Sequence, residues 1–272
     1  MKGLIVKNMN RYLAIMNIWW QRGFTYRLSI FAYRVGEVFE MLVLILMWSR
    51  IFENQNVISG YTKEEVITYV LLGNLFSVII RSFARDRISG DIYKGQLSSY
   101  LVKPMSYLTY VWIRDLGRAA FPTIFSILTG ATVIFFFRDI VVLPTDPWLW
   151  LILIGMLLLA FVTEQLIGIL IGFIAFWTDD TDAIYEVVAR LKRFFSGAFF
   201  PIALLPTLFV TISFYLPFAY TFFVPAQLFL GKMTNAEAAH GLLIQLAWII
   251  ILQLLVMFVF RKGLRKYEGI GI

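Results

Sequence analysis

The sequence predicts an all-α integral membrane protein. It would have six transmembrane helices, an N-terminal interfacial amphipathic helix, a charged cytoplasmic helix between spans two and three, and an outer re-entrant hairpin before span six. Three observations carry this. Of 272 residues, 60% are hydrophobic and the mean hydropathy is +0.78, whereas a soluble domain is about 45–50% apolar. Several apolar stretches reach about 20 residues, the length a helix needs to cross the hydrocarbon core. These are too long for barrel strands, and lipid leaves no other way to satisfy the backbone. Basic residues also gather in segments that alternate along the chain, as the positive-inside rule requires.

Residues 1–27 form the amphipathic helix. At 100° per residue, Ile5, Met9, Tyr12, Leu13, Met16, Trp19 and Trp20 share one face, with Lys7, Asn10, Arg11, Gln21 and Arg22 opposite. A basic face with tryptophan at the apolar edge suits the headgroup layer. Asn8, Asn10 and Arg11 interrupt any signal-peptide core. The spans run from about Ser29 to Phe52, Glu65 to Ile80, Tyr107 to Phe137, Pro147 to Trp177, Asp182 to Ile202 and Leu242 to Phe260. Residues 203–231 are apolar but broken by Pro206, Pro217 and Pro225 and stopped by Gly231. Lys2, Lys7, Arg11, Arg22 and Arg27 place the N-terminus inside; Arg261, Lys262, Arg265 and Lys266 place the C-terminus there too. An even number of spans follows, so 203–231 reads as a hairpin packed against protein. Arg81, Arg85, Arg87, Lys94 and Lys103 fall inside, as do Arg190, Lys192 and Arg193. The outer loops carry only Lys63, Arg138 and Lys232. Residues 1–272 make one transmembrane domain, with no repeat and no soluble module.

The net charge of +7 and pI of about 9.6 belong to cytoplasmic loops in this setting and do not point to nucleic acid. The chain has no cysteine, which excludes disulfides, thiolate metal ligands and thiol nucleophiles. A P-loop needs G-x-x-x-x-G-K-[ST]; Gly231-Lys232 is followed by Met233 and has Ala226 upstream. The chain therefore has no ATP site of its own. No H-E-x-x-H or G-x-S-x-G occurs. Asp179-Asp180-Thr181-Asp182 reads as a cap for the following helix, and no metal site is expected.

The insert at residues 84–96 is the most informative segment. Arg85, Asp86, Arg87, Asp91 and Lys94 supply charge, and Ile88, Ile92 and Tyr93 form an apolar stripe at i, i+4 and i+5. Such a stripe calls for a protein groove or for burial on the chain's own bundle. Depth arithmetic marks a second feature. Glu37, Glu40, Arg118 and Glu164 lie about 12–20 Å inward from the cytoplasmic helix ends, with Arg34, Arg114 and Asp115 shallower. Intramembrane charges face the interior and pair. The expected pairs are Arg118–Glu164, and Glu37 or Glu40 with Arg114 or Arg118. This layer reads either as a gate below a substrate cavity, whose acids would attract a cationic amphiphile, or as interhelical ion pairing.

Gly95-Gln96-Leu97 running through Leu101, Pro104 and Ser106 is similar to the G-x-L-x-x-x-L-x-x-P-x-S run of ABC-2-type ABC transporter permeases. Ser196-Gly197 with Phe200-Pro201, Leu205-Pro206, Pro217-Phe218 and Pro225 resembles their entry into an outer hairpin. The ending Gly263-Leu264-Arg265-Lys266-Tyr267-Glu268-Gly269 resembles a subgroup described as drug or viologen exporters. Relatives carry a glutamate before the G-x-L run, where this chain offers Asp86 and Asp91. The resemblance implies an exporter permease in the cytoplasmic membrane of a bacterium. It would bind two copies of an ATPase, which hold ATP and Mg, and would pair with a second permease copy or a related one. Arg85, Asp86, Ile88, Asp91, Ile92, Tyr93, Gly95 and Leu97 would make the ATPase contact. Two rivals belong to other classes: a membrane-embedded lipid-modifying enzyme, and a carrier that works without ATP.

Overall fold

The computed structural model describes residues 2–25, 27–136, 141–144, 146–198 and 200–267, without the side chains of 2–9, 24, 27, 29, 30 and 34. Phe137, Arg138, Glu268 and Gly269 therefore lie outside the described residues, as do the side chains of Lys2, Ile5, Lys7, Met9, Arg27 and Arg34. Twelve helices are described: α1 (Lys2–Thr25), α2 (Arg27–Ile51), α3 (Lys63–Ile79), α4 (Ala84–Tyr93), α5 (Leu97–Leu101), α6 (Tyr107–Phe136), α7 (Pro147–Phe173), α8 (Asp182–Phe195), α9 (Thr207–Tyr215), α10 (Phe218–Thr221), α11 (Phe223–Phe229) and α12 (Asn235–Lys266). A small antiparallel hairpin, β1 (Val57–Ile58) with β2 (Tyr61–Thr62), joins α2 to α3.

Among the described residues, four stretches are long and apolar enough to cross a membrane: Lys63–Tyr93, Tyr107–Phe136, Pro147–Phe176 and Asn235–Lys266. The helix α2 has the length but carries Glu37, Glu40 and Arg50. At 14 residues, α8 rises about 21 Å, short of the roughly 30 Å hydrocarbon core. The expected continuous span from Asp182 to Ile202 is thus corrected. The helix stops at Phe195 because Gly197 turns into the left-handed region (φ +77°), which a side chain would resist. Helices α6 and α12 also expose apolar rows, among them Ile127, Leu128, Ile250 and Leu254. Apolar surface on that scale marks contact with lipid.

The two ends of the bundle differ in chemistry. At one end sit α4, α5, the close of α7 and the last turns of α12, tied by Phe176 against Tyr267 and by Ser98 Oγ to Tyr267 OH (3.3 Å). Lys94, Lys103, Arg261, Lys262, Arg265 and Lys266 lie there. The other end holds the β-hairpin, α11 and the starts of α7 and α12. There Lys232 meets Glu65 at 2.9 Å and the Gly60 carbonyl at 2.7 Å. Capping boxes start α3 (Thr62 with Glu65) and α12 (Thr234 with Glu237), each satisfying two backbone donors. The α12 start comes seven residues before the expected Leu242, so His240 lies exposed on its first turns and not in a loop.

Residues 203–231 fold into α9, α10 and α11; α11 is buried throughout, and α10 is buried except for Phe218. Their broken backbone needs donors from elsewhere. Tyr69 OH donates to the Gly197 carbonyl (2.6 Å), and Gln245 Nε2 to the Tyr220 carbonyl (2.6 Å). Gln245 is ten residues into α12, so the broken segment reaches about 15 Å below that helix's tip. Replacing Tyr69 by Phe strands the buried Gly197 carbonyl. We expect a loss of about 1–3 kcal/mol, read as a lowered melting temperature of the detergent-solubilised chain.

Candidate functional site

The insert forms α4, but its stripe faces inward. Ile88 and Leu97 are fully buried and Ile92 nearly so, among Val111, Leu166, Ile169 and Phe173. The predicted partner-facing role of Ile88 and Ile92 is therefore corrected: an apolar pair at i, i+4 buries on whatever surface is nearest, and α7 supplies it. The approach is close because α7 presents Gly168 and Gly172 one turn apart. A Cβ on Gly172 would lie 2.8 Å from Ile88 Cβ, and one on Gly168 2.5 Å from Ser82 Oγ.

Asp91 is buried as well, and faces its own chain. It meets Arg87 at 2.9 Å and accepts from Tyr107 OH at 2.9 Å. Arg87 also donates to Tyr100 OH (2.7 Å), and the Tyr100 ring stacks on Tyr110. Arg85 pairs with Asp86 (2.6 Å) and Asp182 and lies 4.3 Å over the Tyr185 ring. This brings the start of α8 against α4. Of the expected contact residues, Asp86 and Tyr93 remain exposed, beside Lys94 and the Leu101–Val102 corner, where Val102 is 85% exposed.

The short link between α3 and α4 is held by a fully buried ion pair. Arg114 Nε donates to Asp115 Oδ1 (2.9 Å), and its NH2 group donates to the Phe83 carbonyl (3.0 Å). Asp115 Oδ2 accepts from Phe83 N (3.0 Å) and Gln165 Nε2 (2.8 Å). Trp19 of α1 lies 5.4 Å from the Arg114 guanidinium. The expected pairing of Arg114 with Glu37 or Glu40 is replaced by this local one. Neighbours at i, i+1 do not ordinarily face each other on a helix, which is why the pattern did not reveal it.

Glu164 pairs with Lys192 of α8 at 2.6 Å, and the expected Arg118–Glu164 contact is not made. Arg118 instead lies 4.2 Å over the Phe83 ring. Arg190, Lys192 and Arg193, which the sequence places toward the inside, are all on α8. Lys192 reaches from α8 across the space between the two helices to Glu164. Asp180 Oδ1 accepts from the backbone of Asp182 (2.8 Å) and Ala183 (3.3 Å), capping α8 as expected. No group of carboxylates and histidine among the described residues is arranged to hold a metal.

Two open cavities adjoin at the end of α3. One, of about 800 Å³, is lined by Glu37, Glu40, Tyr33 and Asn74. The other, of about 610 Å³, lies between α3, α7 and α8, and Ser77, Arg81, Arg193 and Ala198 border both. Three contributors escaped the sequence reading: Gln165, Lys192 and the Gly168–Gly172 pair. The glycine spacing was the one legible signal, since small residues four apart let helices approach closely.

Two outcomes follow from these pairs. Asp115→Asn leaves the buried Arg114 charge without its counter-charge, and about 3–5 kcal/mol of stability should be lost, measured as thermal unfolding. Glu164→Gln should lower stability by up to about 3 kcal/mol. The double variant Glu164→Gln with Lys192→Met should recover most of it, since no lone ammonium is then left inside.

A comparison with known families matches residues 38–271 to the family described as ABC-2 family transporter protein. A search of curated proteins returned no match. The match spans the spanning helices, α4, α8 and the broken segment together, and the chain belongs to the ABC-2 family of transporter membrane proteins.

Proposed function

We propose that this chain is the permease subunit of an ATP-driven exporter of amphipathic cargo. ATP is hydrolysed by two copies of a separate ATPase, and a second permease, identical or related, completes the pathway. The observation that carries the reading is the seating of α4. It packs on α7 through Ile88 and Gly172 and joins α6 through Asp91–Tyr107. A push on its outer face passes directly into two membrane helices. That face presents Tyr93 and Lys94, flanked by Leu101 and Val102. We assign the ATPase contact to these residues and to Asp86.

The basic end carries α4 and the close of α12, and the positive-inside rule puts it in the cytoplasm. On that reading α2, α3, α6, α7 and α12 span, and α8 rises from the inside as the lower part of a sixth span. Residues 203–231 return as the outer hairpin, and α1 rests against α6 near the inner interface. The closure of the ATPases then shifts the helices between two arrangements and opens the cavities to alternate sides.

Co-expression with the cognate ATPase tests this reading. Tyr93→Asp with Val102→Asp changes two exposed residues, so the bundle should keep its melting temperature. The co-purified ATPase should fall by at least about tenfold. Ile88→Asp should instead destabilise the permease itself. Undiminished ATPase capture by the double variant, or cargo transport by the purified chain alone, would refute the reading.

A further inference from the structure

Exposed positions on most of the long helices are apolar, but α8 is different. It exposes Glu186, Arg190 and Arg193 on a helix that faces α7 across an open cavity. Charges exposed to hydrocarbon cost several kcal/mol each, so this face belongs to a polar space, and the 610 Å³ cavity is that space. Five basic and two acidic side chains line it.

The pairing pattern shows where the positive excess lies. Lys192 neutralises Glu164 at 2.6 Å, Arg190 stands 3.8 Å from Glu186, and Arg85 is held by Asp182 and Asp86. Each acid on the wall thus has a cation of its own. Arg81 makes no ion pair or side-chain hydrogen bond with any other described residue, yet it lines both cavities at their shared border. Arg193 stands at the same border. Apolar wall lies close by in Ile80, Ile167, Ile171 and Phe222. A planar guanidinium with all its donors available matches a phosphate or other oxyanion, and the apolar wall matches a hydrocarbon chain.

We propose that this cavity selects an anionic amphiphile, an acidic or phosphate head held at Arg81 with its chain along α3 and α7. The proposal rests on the transporter reading and reverses the preference that the carboxylates alone would set. Glu164 does not attract a cation, because Lys192 already occupies it.

The test uses the full chain in phosphatidylcholine nanodiscs. Dodecyl phosphate and dodecyltrimethylammonium, matched in chain length, are titrated below their micelle concentrations, with empty nanodiscs as the blank. Dodecyl phosphate should bind saturably. Its affinity should drop at least about tenfold in Arg81→Gln, be largely kept in Arg81→Lys, and be unchanged in Lys262→Gln, which lines neither cavity. It should also raise the melting temperature of the unaltered chain, a readout that needs no variant. Inorganic phosphate at the same concentrations should not displace it, which separates an amphiphile site from a simple anion site. Equal affinity in wild type and Arg81→Gln overturns the proposal, as does tighter binding of the ammonium or displacement by inorganic phosphate. No ATPase is present in this test, so its failure leaves the transporter reading standing, and loss of the ATPase contact leaves the binding result standing.

Discussion

The arrangement of the inner half of this protein depends on one constraint: Arg114 is entirely buried, and its charge must be answered on the spot. Burying an ion is costly unless its counter-ion and its remaining donors are all satisfied. Asp115 answers the charge, and the Phe83 backbone and Gln165 complete the network. Both polar atoms of a single peptide position thereby become fixed to α6. The chain leaving α3 cannot drift, and α4 starts at a defined point against α7. Trp19 brings α1 to the same cluster. Helices α1, α6 and α7 and the α3–α4 link all meet at this one group.

The other half of the molecule solves the complementary problem. Its backbone is irregular between α8 and α12, so carbonyls are left without helical partners. Tyr69 and Gln245 fill that need from regular helices on either side. Polar side chains inside the apolar bundle therefore have a structural task at both levels. At the inner level they hold a loop; at the outer level they complete a broken helix. The α8 face is the exception, since its charges border open space.

Much of this was legible in the sequence. Apolar length located α3, α6 and α7 closely, and prolines with Gly197 marked the broken segment. The insert was recognisable as a helix, but not the direction of its stripe. Ile88 and Ile92 at i, i+4 specify an apolar face and do not say whether the chain's own α7 or another protein covers it. The ion pairs were misassigned for a related reason. Depth arithmetic ranks residues along the membrane normal but says nothing about azimuth. Arg118 and Glu164 share a level, yet Phe83 and Lys192 are what they face. The neighbouring pair Arg114–Asp115 was invisible to helical periodicity, because the contact is made by a long side chain curling back and not by two residues on one face.

The near-contact of Gly172 with Ile88 carries a consequence for swapping parts between transporters of this kind. Helix α4 and the Gly168–Gly172 stretch of α7 are shaped to one another across a gap that admits no methyl group. A graft that imports only the cytoplasmic insert from another permease would set a foreign knob against this smooth wall. The two segments, some eighty residues apart in the chain, form a single packing unit, and chimaeras should be cut so that they travel together.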